Sequence, residues 1–314
     1  MEEHRLSVTV GPENEGETVR RLLKTQLQMA EGAVASLKWR PDGICLNGAE
    51  VHTNVRVRAG DVLTVRIDDG DRGNPAAPIP VPLTVRYEDA DLAVLEKPAG
   101  MVVHGPEGQG APTLANALAA LWGPEQPFHP VHRLDRGTTG LLVVAKNAYA
   151  SERLRRSLHT EDFVRAYLAL AAGHPQPASG RIDLPLGPAE GERFRRVARP
   201  DGQPAVTDYE TLDIFDGGSL LRLRLRTGRT HQIRAHLAAV GHPLFGDALY
   251  GGPTAEGLDR PALHAAALSL RQPVTGERLT LVSPLPEDLC AVLAAKGVSE
   301  LAESASCFFD TNLL

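Results

Sequence analysis

The sequence predicts a protein of the α+β class, in which a small N-terminal module precedes one larger domain. Its 314 residues are enough for about two domains. Between residues 68 and 82 lie three acidic residues, two glycines and four prolines, a composition typical of a linker. Beyond this segment, short strand and helix patterns mix without the regular alternation of a doubly wound sheet.

These observations predict four segments. The predicted boundaries are a module at residues 1–68, a linker at 69–82, the larger domain at 83–297 and a C-terminal tail at 298–314. Within the module, apolar residues have the spacing of one helix face, at Val19, Leu22, Leu23 and Leu27. Asn47-Gly48 is a strong signal for a tight turn between two short strands.

The most informative stretch of the larger domain is His-Arg-Leu-Asp-Arg-Gly-Thr-Thr-Gly at residues 132–140, followed by the apolar run 141–145. The glycines and threonines indicate a turn, and the apolar run indicates a buried strand, so Asp135 is expected on a loop beside a sheet. Arg133 and Arg136 flank Asp135 and favour its ionised form, which keeps it available as a nucleophile. The alternative is a structural ion pair or a turn-capping aspartate.

Charge is unevenly distributed along the chain. The formal net charge is −6, yet residues 153–234 contain 14 arginines and 10 acidic residues, a local charge of +4. In the run 221–226, arginine alternates with leucine, so Arg222, Arg224 and Arg226 are expected on one face of a strand. Guanidinium groups suit phosphate binding and base stacking. The alternative is a solvated face in a chain whose 28 arginines against 5 lysines reflect genome composition.

Residues 132–140 closely resemble the His-Arg-Leu-Asp motif of the RluA-like RNA pseudouridine synthases, in which the aspartate is catalytic. Further blocks resemble the same family, appear in the family order and cover roughly residues 83–289. They are Lys-Pro-Ala-Gly at 97–100, a tyrosine motif at 163–170, Thr-Gly-Arg-Thr-His-Gln-Ile-Arg at 227–234 and a closing segment at 263–276. Two positions depart from the family pattern, Gly137 in place of an acidic residue and Thr139 in place of serine.

The resemblance implies a pseudouridine synthase fold, with a mixed, mainly antiparallel central sheet and an active site in a central cleft. It also implies that the N-terminal module is an S4-like α/β RNA-binding module. The Ser-Arg pair usual in such modules is replaced by Ala30-Glu31. A small packing domain without RNA contact is therefore the alternative for this module.

The resemblance also implies a role for five side chains. Asp135 matches the catalytic carboxylate, and Tyr167 matches the residue that stacks on the target uracil. Arg133 matches the residue that enters the space vacated by the flipped base. Arg229 matches the position that pairs with the catalytic carboxylate, and Ile233 lines the uracil pocket. Without the resemblance, Tyr167 and Ile233 would be interpreted as core residues.

The implied reaction converts specific uridines of structured RNA to pseudouridine, with ribosomal RNA favoured over transfer RNA as the partner. The bond between N1 and C1′ breaks, the base turns, and C5 joins C1′. We expect no cofactor, because the reaction has no redox step and takes up no outside atom. One alternative is a nucleosidase-like N-glycoside hydrolase, although such enzymes commonly use two carboxylates. The other is a noncatalytic RNA-binding protein of the same fold.

Cysteine and histidine usage argues against a metal site. The three cysteines form no Cys-x-x-Cys pair, and we expect hydrogen-bonded structural histidines at positions 129, 132, 231 and 236. The N-terminus lacks the basic and apolar blocks of a signal peptide, and no apolar run is long enough to cross a bilayer. We therefore expect a cytoplasmic protein with no membrane partner. We also expect a monomer.

Overall fold

The computed structural model describes residues 4–70, 72–105, 111–192 and 194–298. The predicted C-terminal tail lies outside the described residues, apart from Val298. The α-helices are α1 (Val19–Thr25), α2 (Glu31–Leu37), α3 (Leu114–Trp122), α4 (Ala148–Ser157), α5 (Gln232–Ala239) and α6 (Glu287–Ala295). No helix among the described residues is long and apolar enough to cross a membrane.

The N-terminal module is a four-stranded antiparallel sheet with two helices packed on it. Its strands are β1 (Arg5–Thr9), β2 (Ile44–Leu46), β3 (Ala49–Glu50) and β4 (Val62–Arg66), in the order β1-β4-β2-β3. Helix α1 begins after Thr18, whose side chain accepts the Arg21 backbone N–H and satisfies a free donor of the first turn. Both Asn47 (φ 53°) and Gly48 (φ 82°) are left-handed, which makes the tight β2–β3 turn that the sequence predicts.

The larger domain is built on a mixed sheet in the order β10-β13-β14-β9-β15-β8-β6-β5, with β16 beside β15 and β7 beside β8. Its first strands are β5 (Thr84–Glu88), β6 (Leu92–Lys97), β7 (His129–Pro130), β8 (Thr139–Ala145), β9 (Phe163–Ala172) and β10 (Ser179–Asp183). Strands β11 (Leu186–Pro188) and β12 (Arg196–Ala198) form a separate small hairpin. The remaining strands of the large sheet are β13 (Val206–Phe215), β14 (Gly218–Leu225), β15 (Leu263–Arg271) and β16 (Arg278–Val282). Strands β8 and β15 pair in parallel, whereas the other described pairs are antiparallel, so the predicted sheet type is confirmed.

Helices cover both faces of this sheet. On one face, Leu114 and Leu118 of α3 and Ile233 and Leu237 of α5 pack in a single apolar cluster with inward side chains of the central strands. Helix α6 packs on the opposite face. The apolar run of β8 is buried along its whole length, as the sequence predicts. Burying such a run removes each side chain from water, worth about 1.5–3 kcal/mol per large aliphatic residue.

The N-terminal module packs against α4 of the larger domain. The Tyr149 ring lies in the apolar cluster of the module, and its hydroxyl donates to the Leu27 carbonyl at 3.1 Å. Arg156 donates to the Gln28 carbonyl at 2.7 Å. The segment predicted as a linker packs against α3, because the buried Asn74 side chain donates to the Ala115 carbonyl at 2.8 Å.

Candidate active site

Asp135 lies on the loop that joins β7 to β8, at the edge of a cavity formed with the loop before α5. The structure places all five candidate site residues around this cavity. It is lined by Arg133, Leu134, Asp135, Thr138, Tyr167, Leu225, Arg229, His231, Gln232, Ile233, Arg234 and Leu263. The tyrosine comes from β9, and the remaining polar lining comes from the Asp135 loop and from residues 229–234, so three distant parts of the sequence meet here.

The Asp135 loop is anchored by the conformation of the strand that follows it. Gly140 has φ 106°, and a Cβ atom on it would lie 2.3 Å from the Ala265 carbonyl oxygen of the parallel strand β15. Only glycine fits so close an approach in a left-handed conformation. The Thr139 hydroxyl is 2.9 Å from Nδ1 of His264, so threonine in place of serine keeps a hydroxyl at this contact.

The buried Lys97 side chain holds the Asp135 loop through hydrogen bonds to backbone carbonyls. Lys97 Nζ donates to three carbonyls, those of Pro98 (2.7 Å), Met101 (2.9 Å) and Arg136 (3.2 Å). Burial lowers the pKa of Lys97 to about 7, although the negative charge of Asp135 opposes this shift. Lys97 begins the Lys-Pro-Ala-Gly block that resembles the family, but the sequence predicts no role for its side chain. Its three donors join the end of β6 to the loop that carries the carboxylate.

The ion pair of Asp135 differs from the expected one. Arg234 Nη1 lies 3.4 Å from Asp135 Oδ2, so the partner of the carboxylate is Arg234 of α5 and the predicted pairing with Arg229 is wrong. Arg229 lines the cavity, but its Nε donates to the Pro204 carbonyl at 3.0 Å. The helical position explains the difference, because Arg234 projects from the first turns of α5 while Arg229 lies in the loop before it.

Arg234 is itself held by a buried carboxylate. Its Nε and Nη2 donate to the two oxygens of Asp247 at 2.7 and 2.8 Å, a bidentate pair that fixes the plane of the guanidinium. Burial acts to lower the pKa of Arg234, but hydrogen bonding to Asp247 and the charge of Asp135 raise it overall. The guanidinium also lies 5.1 Å from the centre of the Tyr250 ring. Asp135 therefore faces a cation that is permanently charged and fixed in direction.

The loop before α5 is held in place by one glutamine. Gln232 Oε1 accepts from the Thr227 hydroxyl at 2.7 Å and from the Arg229 backbone N–H at 2.9 Å, and its Nε2 donates to the Val206 carbonyl at 3.0 Å. His231, which begins the helix, has a left-handed backbone, and its Nε2 is 4.0 Å from Asp135 Oδ2. Burial lowers the pKa of His231, against the effect of the Asp135 charge. The role of Gln232 was not predicted from the sequence.

Tyr167 presents its ring to the cavity from strand β9. The side chain is buried. Burial raises the pKa of Tyr167, and the Asp135 charge acts in the same direction, so the hydroxyl is protonated at neutral pH. Arg133 is exposed beside it at the mouth of the cavity.

If Tyr167 stacks on the target base of a uridine isomerisation, as the family resemblance implies, the Tyr167→Phe variant should keep a rate within about tenfold of wild type, because an aromatic ring remains. Single-turnover kinetics at saturating RNA would measure this. The matched Tyr167→Ala variant removes the ring and should bind substrate more weakly. If Tyr167→Phe instead loses about 10²–10⁴-fold, the hydroxyl has a proton-transfer role and stacking is not its main contribution.

The alternating arginines of β14 lie on the opposite face from this cavity. Leu221 and Leu223 belong to the apolar cluster that contains Tyr167, and the intervening arginines therefore point to the other side of the sheet. There Arg224 and Arg226 pair with Glu161, and Arg222 pairs with Glu210. This face supports the alternative of a solvated, charge-paired surface and does not line the candidate active site.

The histidines that were considered as metal ligands make hydrogen bonds within the protein. His236 bridges the Thr207 hydroxyl and the Leu184 carbonyl, each at 2.9 Å, and His129 bonds to Asp69. His132 Nε2 accepts the Val143 backbone N–H at 3.2 Å. The described residues contain no cluster of histidine, cysteine, aspartate or glutamate that could hold a metal ion.

Because of the buried His132, we expect the free energy of unfolding to depend on pH. Burial, reinforced by the charge of Arg165, lowers the pKa of His132 from 6.5 to about 3. Below pH 6.5 the unfolded chain takes up a proton that the folded chain does not, so the free energy of unfolding falls as the pH decreases toward 3. The loss is about 1.4 kcal/mol per pH unit within this window.

Urea denaturation at several pH values between 7 and 4 would measure this slope. The His132→Gln variant keeps an acceptor for the Val143 N–H and should show a smaller slope than wild type. The exposed His52→Gln change is the matched control and should keep the wild-type slope. Equal slopes for wild type and His132→Gln would contradict the assignment.

Comparison with known proteins identifies the family. Residues 91–239 match the family model described as RNA pseudouridylate synthase. The ribosomal large subunit pseudouridine synthase D of Vibrio parahaemolyticus is 39% identical, over 82% of this chain and 84% of that protein. This chain belongs to the RNA pseudouridylate synthase family. It is an RNA pseudouridine synthase of the RluA-like type, as the sequence motifs indicate, and the hydrolase and noncatalytic alternatives find no support among these relatives.

Two further similarities extend this result. The uncharacterized RNA pseudouridine synthase YlyB of Bacillus subtilis is 36% identical, over 92% of this chain and 97% of that protein. The solved structure of human RNA pseudouridylate synthase domain containing 4 superimposes with a TM-score of 0.56 at 26% identity. It covers 67% of this chain and 91% of the human one. The α+β pseudouridine synthase fold is therefore confirmed for the larger domain, whereas the S4-like assignment of the N-terminal module stays a prediction.

Proposed function

We propose that this enzyme isomerises specific uridines of large-subunit ribosomal RNA and that Asp135 is its catalytic carboxylate. The observation that carries the proposal is the pairing of Asp135 with Arg234 in a cavity that also contains Tyr167. The relatives named ribosomal large subunit pseudouridine synthase D favour ribosomal RNA as the substrate. Transfer RNA is the alternative substrate, and the cytoplasmic, monomeric state stays a prediction.

The proposed reaction uses few groups. Cleavage of the bond between N1 and C1′ develops positive charge at the anomeric carbon, and a carboxylate beside that carbon stabilises the charge or captures it. Arg234, 3.4 Å from Asp135 Oδ2, orients the carboxylate toward the sugar in this proposal. Flipping the base out of its helix costs a few kcal/mol, and stacking on an aromatic ring offsets about 1–3 kcal/mol of that cost. In this proposal Tyr167 supplies the ring, Ile233 forms part of the apolar wall, and the exposed Arg133 and Arg229 contact the RNA at the rim.

Mapping of pseudouridine across all cellular RNA would test the proposal. The strains compared are wild type, a deletion of the gene, and the deletion complemented by wild type or by Asp135→Asn. We expect a site in large-subunit ribosomal RNA that disappears on deletion and returns only with the wild-type gene. A site that returns in transfer RNA alone would move the substrate assignment, and a site restored by Asp135→Asn would refute the catalytic role of Asp135.

A further inference from the structure

Two side chains approach the same oxygen of the Asp135 carboxylate. Arg234 Nη1 lies 3.4 Å from Oδ2, and His231 Nε2 lies 4.0 Å from Oδ2. Both side chains line the cavity, and both belong to the region where α5 begins. Oδ2 is therefore the oxygen that faces the protein. Arg234 has a role in the proposed function, whereas His231 has none.

His231 is held in an uncommon backbone conformation. Its φ of 55° and ψ of 22° are left-handed, which is rare for a residue with a Cβ atom and persists only where the surroundings fix it. Here the His231 carbonyl accepts the Ala235 N–H at 2.8 Å. The imidazole ring packs edge-on against the ring of Tyr250, with 5.9 Å between the ring centres and an angle of 81° between the planes. In this conformation Nε2 is the ring nitrogen that approaches the carboxylate.

The Tyr250 hydroxyl determines which ring nitrogen of His231 carries the proton. Its oxygen accepts the Arg196 backbone N–H at 2.9 Å and lies 3.2 Å from His231 Nδ1. Because the oxygen already acts as an acceptor, its own proton is available for Nδ1, which then acts as an acceptor. Burial lowers the pKa of His231, so the ring is neutral at neutral pH and carries its single proton on Nε2. That proton faces Asp135 Oδ2.

One segment of the chain supports both groups that face the carboxylate. Asp247 makes the bidentate pair with Arg234, and Tyr250, three residues later, contacts His231. The side chains of Asp247 and Tyr250 are both buried, and the Tyr250 ring also lies 5.1 Å from the Arg234 guanidinium. The segment therefore fixes the positions of the imidazole and the guanidinium together.

We propose that His231 and Tyr250 are positioning residues for Asp135. The Nε2–H of His231, in the tautomer that Tyr250 selects, holds Oδ2 beside Arg234 and leaves Oδ1 directed at the sugar. The inference rests on the proposed function, because it takes Asp135 as the carboxylate that acts at the anomeric carbon. Hydrogen bonds of an active site are often long in the free enzyme and tighten with substrate, so the 4.0 Å separation shortens when RNA fills the cavity. Orientation matters here because a misplacement of about 1 Å can cost about 10²-fold in rate.

Two amide variants of His231 test the donor. The amide nitrogen of glutamine is as many bonds from Cα as Nε2 of histidine, whereas that of asparagine is only as far as Nδ1. Asparagine also suits a left-handed backbone, so His231→Asn removes the donor without adding strain. We expect the single-turnover rate at saturating RNA to fall about 10–100-fold in His231→Asn and to stay close to wild type in His231→Gln, with the Kd for RNA unchanged in both. A wild-type rate for His231→Asn, or equal losses in the two variants, would overturn the proposal.

Nitrogen NMR of isotope-labelled histidine measures the tautomer directly, and the signals that disappear in His231→Gln identify His231. We expect the proton on Nε2 in the wild-type protein, and a shift of the proton toward Nδ1 in Tyr250→Phe together with a slower isomerisation. Tyr209→Phe is the matched control, because its hydroxyl donates to the Pro177 carbonyl outside the cavity, and it should change neither the tautomer nor the rate. A proton on Nδ1 in the wild-type protein would overturn the proposal.

This inference and the proposed function fail in different ways. Turnover by Asp135→Asn would refute the proposed function and this inference with it. An inactive Asp135→Asn beside a fully active His231→Asn would refute this inference alone. A loss of RNA affinity in His231→Asn with an unchanged rate would assign the histidine to binding and would also refute it.

Discussion

The Asp135→Asn variant is expected to lose at least about 10³-fold in the rate of uridine isomerisation while it keeps its affinity for RNA. Asparagine has nearly the same shape but no charge, so it cannot stabilise or capture positive charge at the anomeric carbon. Phosphate contacts supply most RNA affinity, and in the proposed complex they come from the exposed Arg133 and Arg229, which this substitution leaves in place. The effect should therefore appear in the chemical step and not in binding.

Single-turnover kinetics at saturating RNA, combined with an equilibrium binding assay, would separate these two quantities. Asp216→Asn is the matched control, because Asp216 is exposed in the turn between β13 and β14 and lies outside the cavity. It should match wild type in both assays. Turnover by Asp135→Asn within tenfold of wild type would sink the catalytic assignment, and a parallel loss of RNA affinity would show that the residue acts in binding.

The second large effect is expected for Arg234→Gln, in stability as well as activity. The side chain of Asp247 is 1% exposed, and removal of the guanidinium leaves that charge buried and unpaired. Breaking a buried ion pair in this way costs about 3–5 kcal/mol. The variant also removes the cation that faces Asp135, so isomerisation should fall by about 10²–10³-fold even at a temperature where the protein is folded.

Arg229→Gln is the matched control for that variant. Arg229 pairs with no carboxylate among the described residues and donates to a backbone carbonyl, so its loss should change the free energy of unfolding by no more than about 0.5–1.5 kcal/mol. Urea denaturation and single-turnover kinetics on both variants would compare the two arginines. If Arg229→Gln loses more catalytic rate than Arg234→Gln, the site is organised around the arginine that the sequence motif first indicated.

Local patterns were reliable guides to local structure. The tight turn at Asn47-Gly48 and the buried strand after the Asp135 loop are confirmed, because turn chemistry and apolar runs act over a few neighbouring residues. The arginine stripe of β14 was also predicted to share one face. Its partners could not be predicted, since Glu161 lies on a different segment and reaches Arg224 and Arg226 only in the folded chain.

The sequence alone determined the family, the sheet type that the family implies and five of the residues that line the candidate active site. Its motifs follow the family order, and the candidate side chains within them are recognisable by residue type. Only the tertiary structure decided which arginine faces Asp135 and what lies behind it. Arg229 and Arg234 stand five positions apart, and the start of α5 between them turns one toward the carboxylate and the other toward a backbone carbonyl. The spacing of motif residues does not fix the direction in which each side chain points, whereas an ion pair requires a defined direction.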